Sequence, residues 1–193
     1  MNKQYITASR LQADAIELAF RVIDSGYRPD LMVGIWRGGT PVAITVQEIM
    51  AFVGFHCDHI AIRTASYTDI GERTAVTVHG MEYLQQTISA DKKILLVDDV
   101  FDTGLSIDAV FNALKNLFPE QLPECRIATP YFKPDNNETG RMPDFHLFET
   151  GDWLVFPHEL VGLSDREIIE DKPLPDHLKE RLLFLKRRHA KRQ

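Results

Sequence analysis

The segment "KILLVDDVFDTGLS" (residues 93–106) decides the reading. Ile94, Leu95, Leu96 and Val97 form a short, wholly apolar run that reads as a buried strand. Three carboxylates follow at once, Asp98, Asp99 and Asp102, and then Thr-Gly-x-Ser. Unpaired acids gathered at a strand end are costly unless a ligand engages them. In "DTGLS", Gly104 and Leu105 lead into a helix start whose N–H groups point outward, and Thr103 and Ser106 add hydroxyl donors. Such a turn is a phosphate cradle. It is neither a Walker A loop, since the GxxxxGK[ST] lysine is absent, nor the dinucleotide GxGxxG. The adjacent carboxylates Asp98 and Asp99 suit vicinal hydroxyls and Mg²⁺. A ribose 5-phosphate unit with magnesium satisfies every part of the loop.

The 193 residues fit one domain of ordinary size, with 44% hydrophobic and 26% charged residues. No apolar run reaches the length of a membrane span, and the N-terminus lacks the pattern of a signal peptide, so a cytoplasmic location is expected. Cys57 and Cys125 read as buried thiols rather than a disulfide framework. The net charge of −6 is uneven: residues 179–193 hold seven Lys and Arg against Glu180, a local +6 that leaves −12 for residues 1–178. That acidity argues against a nucleic-acid partner, and the basic tail reads as a solvated helix end.

Helices and strands alternate. Leu11, Ala15, Ile16, Ala19, Phe20 and Ile23 mark one helical stripe ended by Gly26, and "LMVGIW" (31–36) is a strand. Thr40 and Pro41 suggest an N-cap and first position of a second helix, and residues 55–64 a second strand. Residues 66–80 show no clear period, and a short helix near 81–89 follows. Beyond the acidic loop, a helix over 106–118 should turn Ala109, Val110, Ala113, Leu114 and Leu117 inward. "RIATPYF" (126–132) and "WLVFP" (153–157) read as strands, and the intervening "KPDNNETGRMPD" (133–144) is too polar and turn-rich for the core. Ser164 and Glu167 have the spacing of a capping box. This alternation predicts an α/β fold with a mostly parallel central sheet flanked by helices, its ligand at the carboxyl edge of the strands.

The string "ILLVDDVFDTGLS" (94–106) resembles the phosphoribosyl pyrophosphate (PRPP) motif of type I phosphoribosyltransferases. The resemblance runs over roughly residues 5–160 and implies that family's fold, with a small hood region. On it we divide the chain into a phosphoribosyltransferase domain at 1–163, including the hood strand, and a helical extension with a basic tail at 164–193.

"GIWRGGTP" (34–41) is similar to the family's pyrophosphate loop, with Arg37 as the cation and Gly38 and Gly39 allowing close approach of the backbone. The resemblance places a non-proline cis peptide at Trp36–Arg37, although Trp36 itself departs from the usual smaller residue. "TASYTDIGER" (64–73) is similar to the mobile loop that closes over PRPP, which implies binding roles for Ser66, Tyr67 and Arg73. Lys133, at a strand end, matches the lysine with which the 6-oxopurine members donate to O6. "DWLVFPHE" (152–159) resembles their W-[IL]-x-x-P-x-[DE] segment, implying that Trp153 stacks on the base, the Leu154 backbone meets the ring edge and Glu159 lies near the 2-position.

By this resemblance Asp102 is the catalytic acid/base, Asp98 and Asp99 hold Mg²⁺ and the ribose hydroxyls, and Thr103, Gly104, Leu105 and Ser106 hold the 5-phosphate. The substrates would be PRPP and a 6-oxopurine, the assembly a homodimer or homotetramer. Hypoxanthine, guanine and xanthine are not ranked by the sequence. A PRPP-sensing regulator, or a transferase for another base, is the alternative.

Overall fold

Short apolar runs ended by glycine or acid loops fold here as strands, each feeding an amphipathic helix. The computed structural model describes residues 2–67 and 75–190. In chain order the elements are β1 (Lys3–Tyr5), α1 (Ala8–Asp24), β2 (Leu31–Trp36), α2 (Gly39–Phe52), β3 (Asp58–Tyr67), β4 (Ala75–His79), α3 (Met81–Thr87) and β5 (Lys93–Val97). They continue as β6 (Val100–Phe101), α4 (Leu105–Leu117), β7 (Glu124–Phe132), a 3₁₀ turn at Pro134–Asn136, β8 (Phe145–Glu149), β9 (Trp153–Val155), α5 (Asp165–Glu170) and α6 (Asp176–Ala190). No helix of the described residues is long and apolar enough to cross a membrane.

The main sheet runs β4-β3-β2-β5-β7-β6, with β8 also on β7, and every pair is parallel except β3–β4. Its centre is dry: Ile94, Leu95, Leu96 and Val97 are fully buried, as are Leu31 and Val33 of β2. Burying each such side chain contributes about 1.5–3 kcal/mol, which fixes the strand ends as rigid mounts for the loops that follow. β5 and β6 are successive partners of β7, Val97 opposite Ala128 and Val100 opposite Tyr131. Asp98 and Asp99 therefore occupy a break in one strand line, with the Asp98 N–H still donating to the Ala128 carbonyl at 3.1 Å.

The chain packs as two compact units, Gln12–Gly151 and a smaller one made of Met1–Leu11 with Asp152–Gln193. The sequence-based boundary at 163/164 falls inside the smaller unit, which β1 and β9 join as a parallel two-stranded sheet, Lys3 opposite Trp153. Ser164 caps α5 with the reciprocal box its spacing predicts: its hydroxyl accepts from the Glu167 N–H at 3.2 Å and the Glu167 carboxylate accepts from the Ser164 N–H at 2.8 Å.

Several expectations are corrected. The buried face of α1 is Leu11, Asp14, Ala15, Leu18, Ala19 and Val22, whereas Phe20 is exposed. Hydropathy misplaced the stripe because Asp14 is inside it, satisfied by the Tyr131 hydroxyl, which donates to Asp14 Oδ2 at 2.6 Å. On α4 the buried residues are Ile107, Val110, Phe111 and Leu114, and Ala109 and Ala113 instead face a groove toward β4. α2 begins at Gly39, so Thr40 lies in the first turn, its hydroxyl donating to the Arg37 carbonyl at 2.5 Å. Both cysteines are free and partly buried, and burial pushes the Cys125 thiol up to about 12.

Candidate functional site

The acidic loop bounds a cavity of about 230 Å³ lined by Asp98, Asp99, Asp102, Thr103, Gly104 and Ser106. Gly104 precedes α4 with φ +80°, and the Thr103 hydroxyl accepts from the Leu105 N–H at 3.4 Å. A Cβ at Gly104 would lie 2.6 Å from Thr139 Oγ1 and 2.8 Å from the Phe101 ring, so glycine is required by both conformation and space. Gly104, Ser106 and Ile107 bring the N-terminus of α4 to the cavity wall, an arrangement for capping by an anion.

Asp98 and Asp99 stand side by side, the Asp99 N–H donating to Asp98 Oδ1 at 3.0 Å. Burial first, and the neighbouring Asp99 charge second, hold the Asp98 carboxyl well above the usual carboxylate range. A cation or a diol donating into the pair would relieve that repulsion, so the residues fit magnesium and ribose. Two carboxylates are an incomplete set, and the described residues hold no cluster of three or more His, Cys, Asp or Glu placed for a metal. Mg²⁺ commonly completes its octahedron with water and substrate phosphate.

The 36–39 loop lies against the same acids, and its Trp36–Arg37 peptide is cis. A Cβ at Gly38 would be 2.1 Å from Asp99 Oδ2, and one at Gly39 would be 2.4 Å from the Val97 carbonyl oxygen. Both glycines are needed so that this backbone can press onto the end of β5. The sequence reading supplied the anion as the reason for them; the structure adds the strand.

Asp102 and Lys133 come together. Lys133 is 4% exposed, and its ammonium donates to Asp102 Oδ2 at 2.8 Å while Asn136 Nδ2 donates to Oδ1 at 2.7 Å. The polar 134–143 segment, read from sequence as too polar and turn-rich for the core, braces the 102–106 loop: the Glu138 N–H donates to the Thr103 carbonyl at 2.9 Å. Arg141 Nε reaches Asp108 Oδ1 at 2.9 Å and its guanidinium lies 4.0 Å from the Phe111 ring centroid. Asn136, Glu138 and Arg141 are the residues that sequence reasoning missed. Their only signal was a turn-rich string directly after a strand-end lysine.

The remaining sites are placed as follows. Ser66 and Tyr67 end β3, and Arg73 lies outside the described residues. In the smaller unit Trp153 is more than half exposed and Leu154 is buried in β9. The Glu159 carboxylate closes its own turn, Oε2 accepting from the Phe156 N–H at 3.0 Å. A larger groove of about 450 Å³ runs between β4 and α4, past Asp108, Asn112 and Asn116. It has one acid, Asp108, where the smaller cavity gathers Asp98, Asp99 and Asp102, so the smaller cavity is the better site on chemical grounds.

Comparison with solved structures finds the same architecture. A purine phosphoribosyltransferase from Pyrococcus horikoshii is 29% identical, with a TM-score of 0.65 over 85% of this chain and 98% of that one. A hypothetical protein from Neisseria gonorrhoeae with bound ppGpp is 21% identical, with a TM-score of 0.63 over 83% and 91% of the two chains. A xanthine-guanine-hypoxanthine phosphoribosyltransferase from Helicobacter pylori is 22% identical, with a TM-score of 0.62 over 80% and 92%. Comparison with curated proteins finds no match. The family model described as the phosphoribosyl transferase domain matches residues 2–161, a span that takes in the acidic loop, the glycine loop and both strand lines that carry them. The chain belongs to the phosphoribosyltransferase family.

Proposed function

We propose that the protein transfers the phosphoribosyl group of PRPP to a 6-oxopurine (hypoxanthine, guanine or xanthine) with release of pyrophosphate. The observation that carries the choice of base is the buried Lys133 ammonium, held 2.8 Å from Asp102 beside the phosphate cradle. An ammonium has three donors and no acceptor, so it suits a purine oxo group and disfavours the amino group of adenine. The purine specificity named for the Pyrococcus and Helicobacter enzymes agrees with this reading.

In this reading Thr103, Gly104, Leu105 and Ser106 hold the 5-phosphate, and Asp98 and Asp99 hold the ribose hydroxyls. Arg37, Arg73 and the backbone at Gly38 and Gly39 hold pyrophosphate. Ser66 and Tyr67 belong to the loop that closes over PRPP and excludes water. Asp98 and Asp99 would also hold Mg²⁺, which would supply positive charge to neutralise the leaving pyrophosphate. The purine nitrogen bonds to the ribose C1′ as the bond to pyrophosphate breaks, and Asp102 accepts the N7 proton as general base. Asn136 and Lys133 hold its two oxygens so that this carboxylate is presented in one orientation. Trp153 stacks on the base, the Leu154 backbone meets its edge and Glu159 orders the turn near the 2-position. The enzyme acts in the cytoplasm as a dimer or tetramer of this chain.

The test is to mix the purified protein with PRPP, Mg²⁺ and each of hypoxanthine, guanine, xanthine and adenine, and to follow the absorbance change. Turnover with one or more 6-oxopurines and none with adenine is expected. Turnover with adenine alone would overturn the role of Lys133. Silence with all four bases alongside tight PRPP binding would leave a PRPP-sensing protein in place of an enzyme.

A further inference from the structure

We infer that Lys172 is a positioning residue for base recognition, a buried clamp through which the C-terminal extension sets the 153–159 segment. Lys172 follows α5 and is 2% exposed. Its ammonium donates to the Phe156 carbonyl at 2.7 Å and to the Pro157 carbonyl at 3.3 Å. Phe156 is itself buried, and its N–H is taken by Glu159 Oε2 at 3.0 Å. The turn that follows β9 is therefore fixed from both sides, by Glu159 within and by Lys172 from outside. Burial depresses the Lys172 ammonium below its ordinary pKa, and the Glu159 charge opposes that shift.

A lysine kept this dry is unusual for a surface extension, because burying an ammonium is costly unless partners satisfy it. Here the partners are the two main-chain carbonyls immediately after Trp153, Leu154 and Val155. Met and Gln on the same backbone would fill part of the space without restoring both bonds. The turn would then lose its outer anchor, and β9, which carries Trp153, the support at its end. The role rests on the proposed reading of the 153–159 segment as the part that recognises the base.

The full chain is prepared as wild type, Lys172→Met and Lys172→Gln, labelled with 5-fluorotryptophan. The two tryptophans, Trp36 and Trp153, give two fluorine resonances, assigned with a Trp153→Phe variant. In the Lys172 variants the Trp153 resonance should shift or broaden while that of Trp36 stays in place. Steady-state kinetics with hypoxanthine, guanine and xanthine should show the base KM raised by about tenfold or more with the PRPP KM within about twofold, since a small misplacement of a binding group costs up to roughly 10² in rate. An unmoved Trp153 resonance, or a kcat that falls with both KM values unchanged, overturns the role. If Lys172→Met does not fold, Lys172→Gln decides by the same split. If the wild type turns over no base, the proposed function fails on its own, and the fluorine spectra still decide whether Lys172 sets Trp153.

Discussion

The acidic loop and the 153–159 segment are both turns that follow a strand, yet they are held by different means. In the loop, the groups that bear the chemistry are consecutive: Asp98 stays on β7 through its own N–H, Gly104 makes the left-handed entry and α4 starts at once, with Lys133, Asn136 and Glu138 bracing them from outside. The 153–159 turn borrows its support from residues far along the chain, Lys172 above all. Both segments were legible as strings, and what stayed hidden was the distant support, Asn136 and Glu138 for the loop and Lys172 for the turn. The difference means that the loop should fail chemically when a single group is changed, whereas the turn should fail through its anchors.

The sharpest break in the comparison is Asp102→Asn. Asparagine keeps the size and can still accept from Lys133 on its one oxygen, with the Asn136 amide turned over to accept from its NH2, but it cannot take up a proton as a carboxylate does. General acid–base catalysis contributes roughly 10²–10⁴-fold, so kcat should fall by about that factor while the PRPP KM changes by about twofold or less. Equal losses in kcat and in PRPP binding would mean that Asp102 is a ligand for PRPP and no proton carrier.

Next in size is Gly39→Ala. Its new Cβ would sit 2.4 Å from the Val97 carbonyl oxygen and 2.7 Å from Asp98 Cα, and backbone atoms cannot swing aside. Overpacking of this kind costs about 1–3 kcal/mol, and the shift should weaken PRPP binding as well as lower the melting temperature. Gly151→Ala, where a Cβ meets nothing within 4 Å, is the matched control and should change stability by about 0.5 kcal/mol or less. If both substitutions behave alike, the close approach of the 36–39 loop to β5 is not what those glycines provide.

How far the sequence reached follows the same division. Its apolar run, its acids and its turn residues were local signals, and the structure places the β5–α4 loop where those signals put it. The β4 strand escaped because five residues alternating Val76 and Val78 with Thr77 and His79 are too few for a period to stand out. Asp14 misled the reading of α1, since hydropathy has no way to register a carboxylate that a tyrosine 117 positions away will satisfy. Asn136 and Lys172 were silent for the same reason: each looks like a solvated polar residue until its partner is brought to it by the fold. Gly38 and Gly39 were read as letting the backbone approach an anion, and what already approaches them is the protein's own strand end and its acids.

The smallest effect probes the other anchor of the smaller unit. Glu167, on α5, takes the Lys3 ammonium and the Tyr5 hydroxyl of β1 on Oε1, the latter at 3.0 Å, while Oε2 serves the Ser164 cap. The Lys3 contact first, then the Ser164 hydroxyl and N–H and the Tyr5 hydroxyl, lower its carboxyl from 4.5 to about 2. A carboxyl depressed by folding binds fewer protons folded than unfolded, so its stabilisation is complete above pH 4.5 and is lost as the pH falls toward 2. Melting temperatures of the wild type should therefore drop through that window, and those of Glu167→Gln should start lower at neutral pH and drop less. The pair is only partly buried, with the Lys3 side chain 42% and that of Glu167 20% exposed, and it is screened by salt, so the gap should be small and should narrow further at high ionic strength. Parallel curves for the two proteins would show that β1 is joined to α5 by packing alone. The 153–159 turn would then depend on the buried lysine without help from the ion pair.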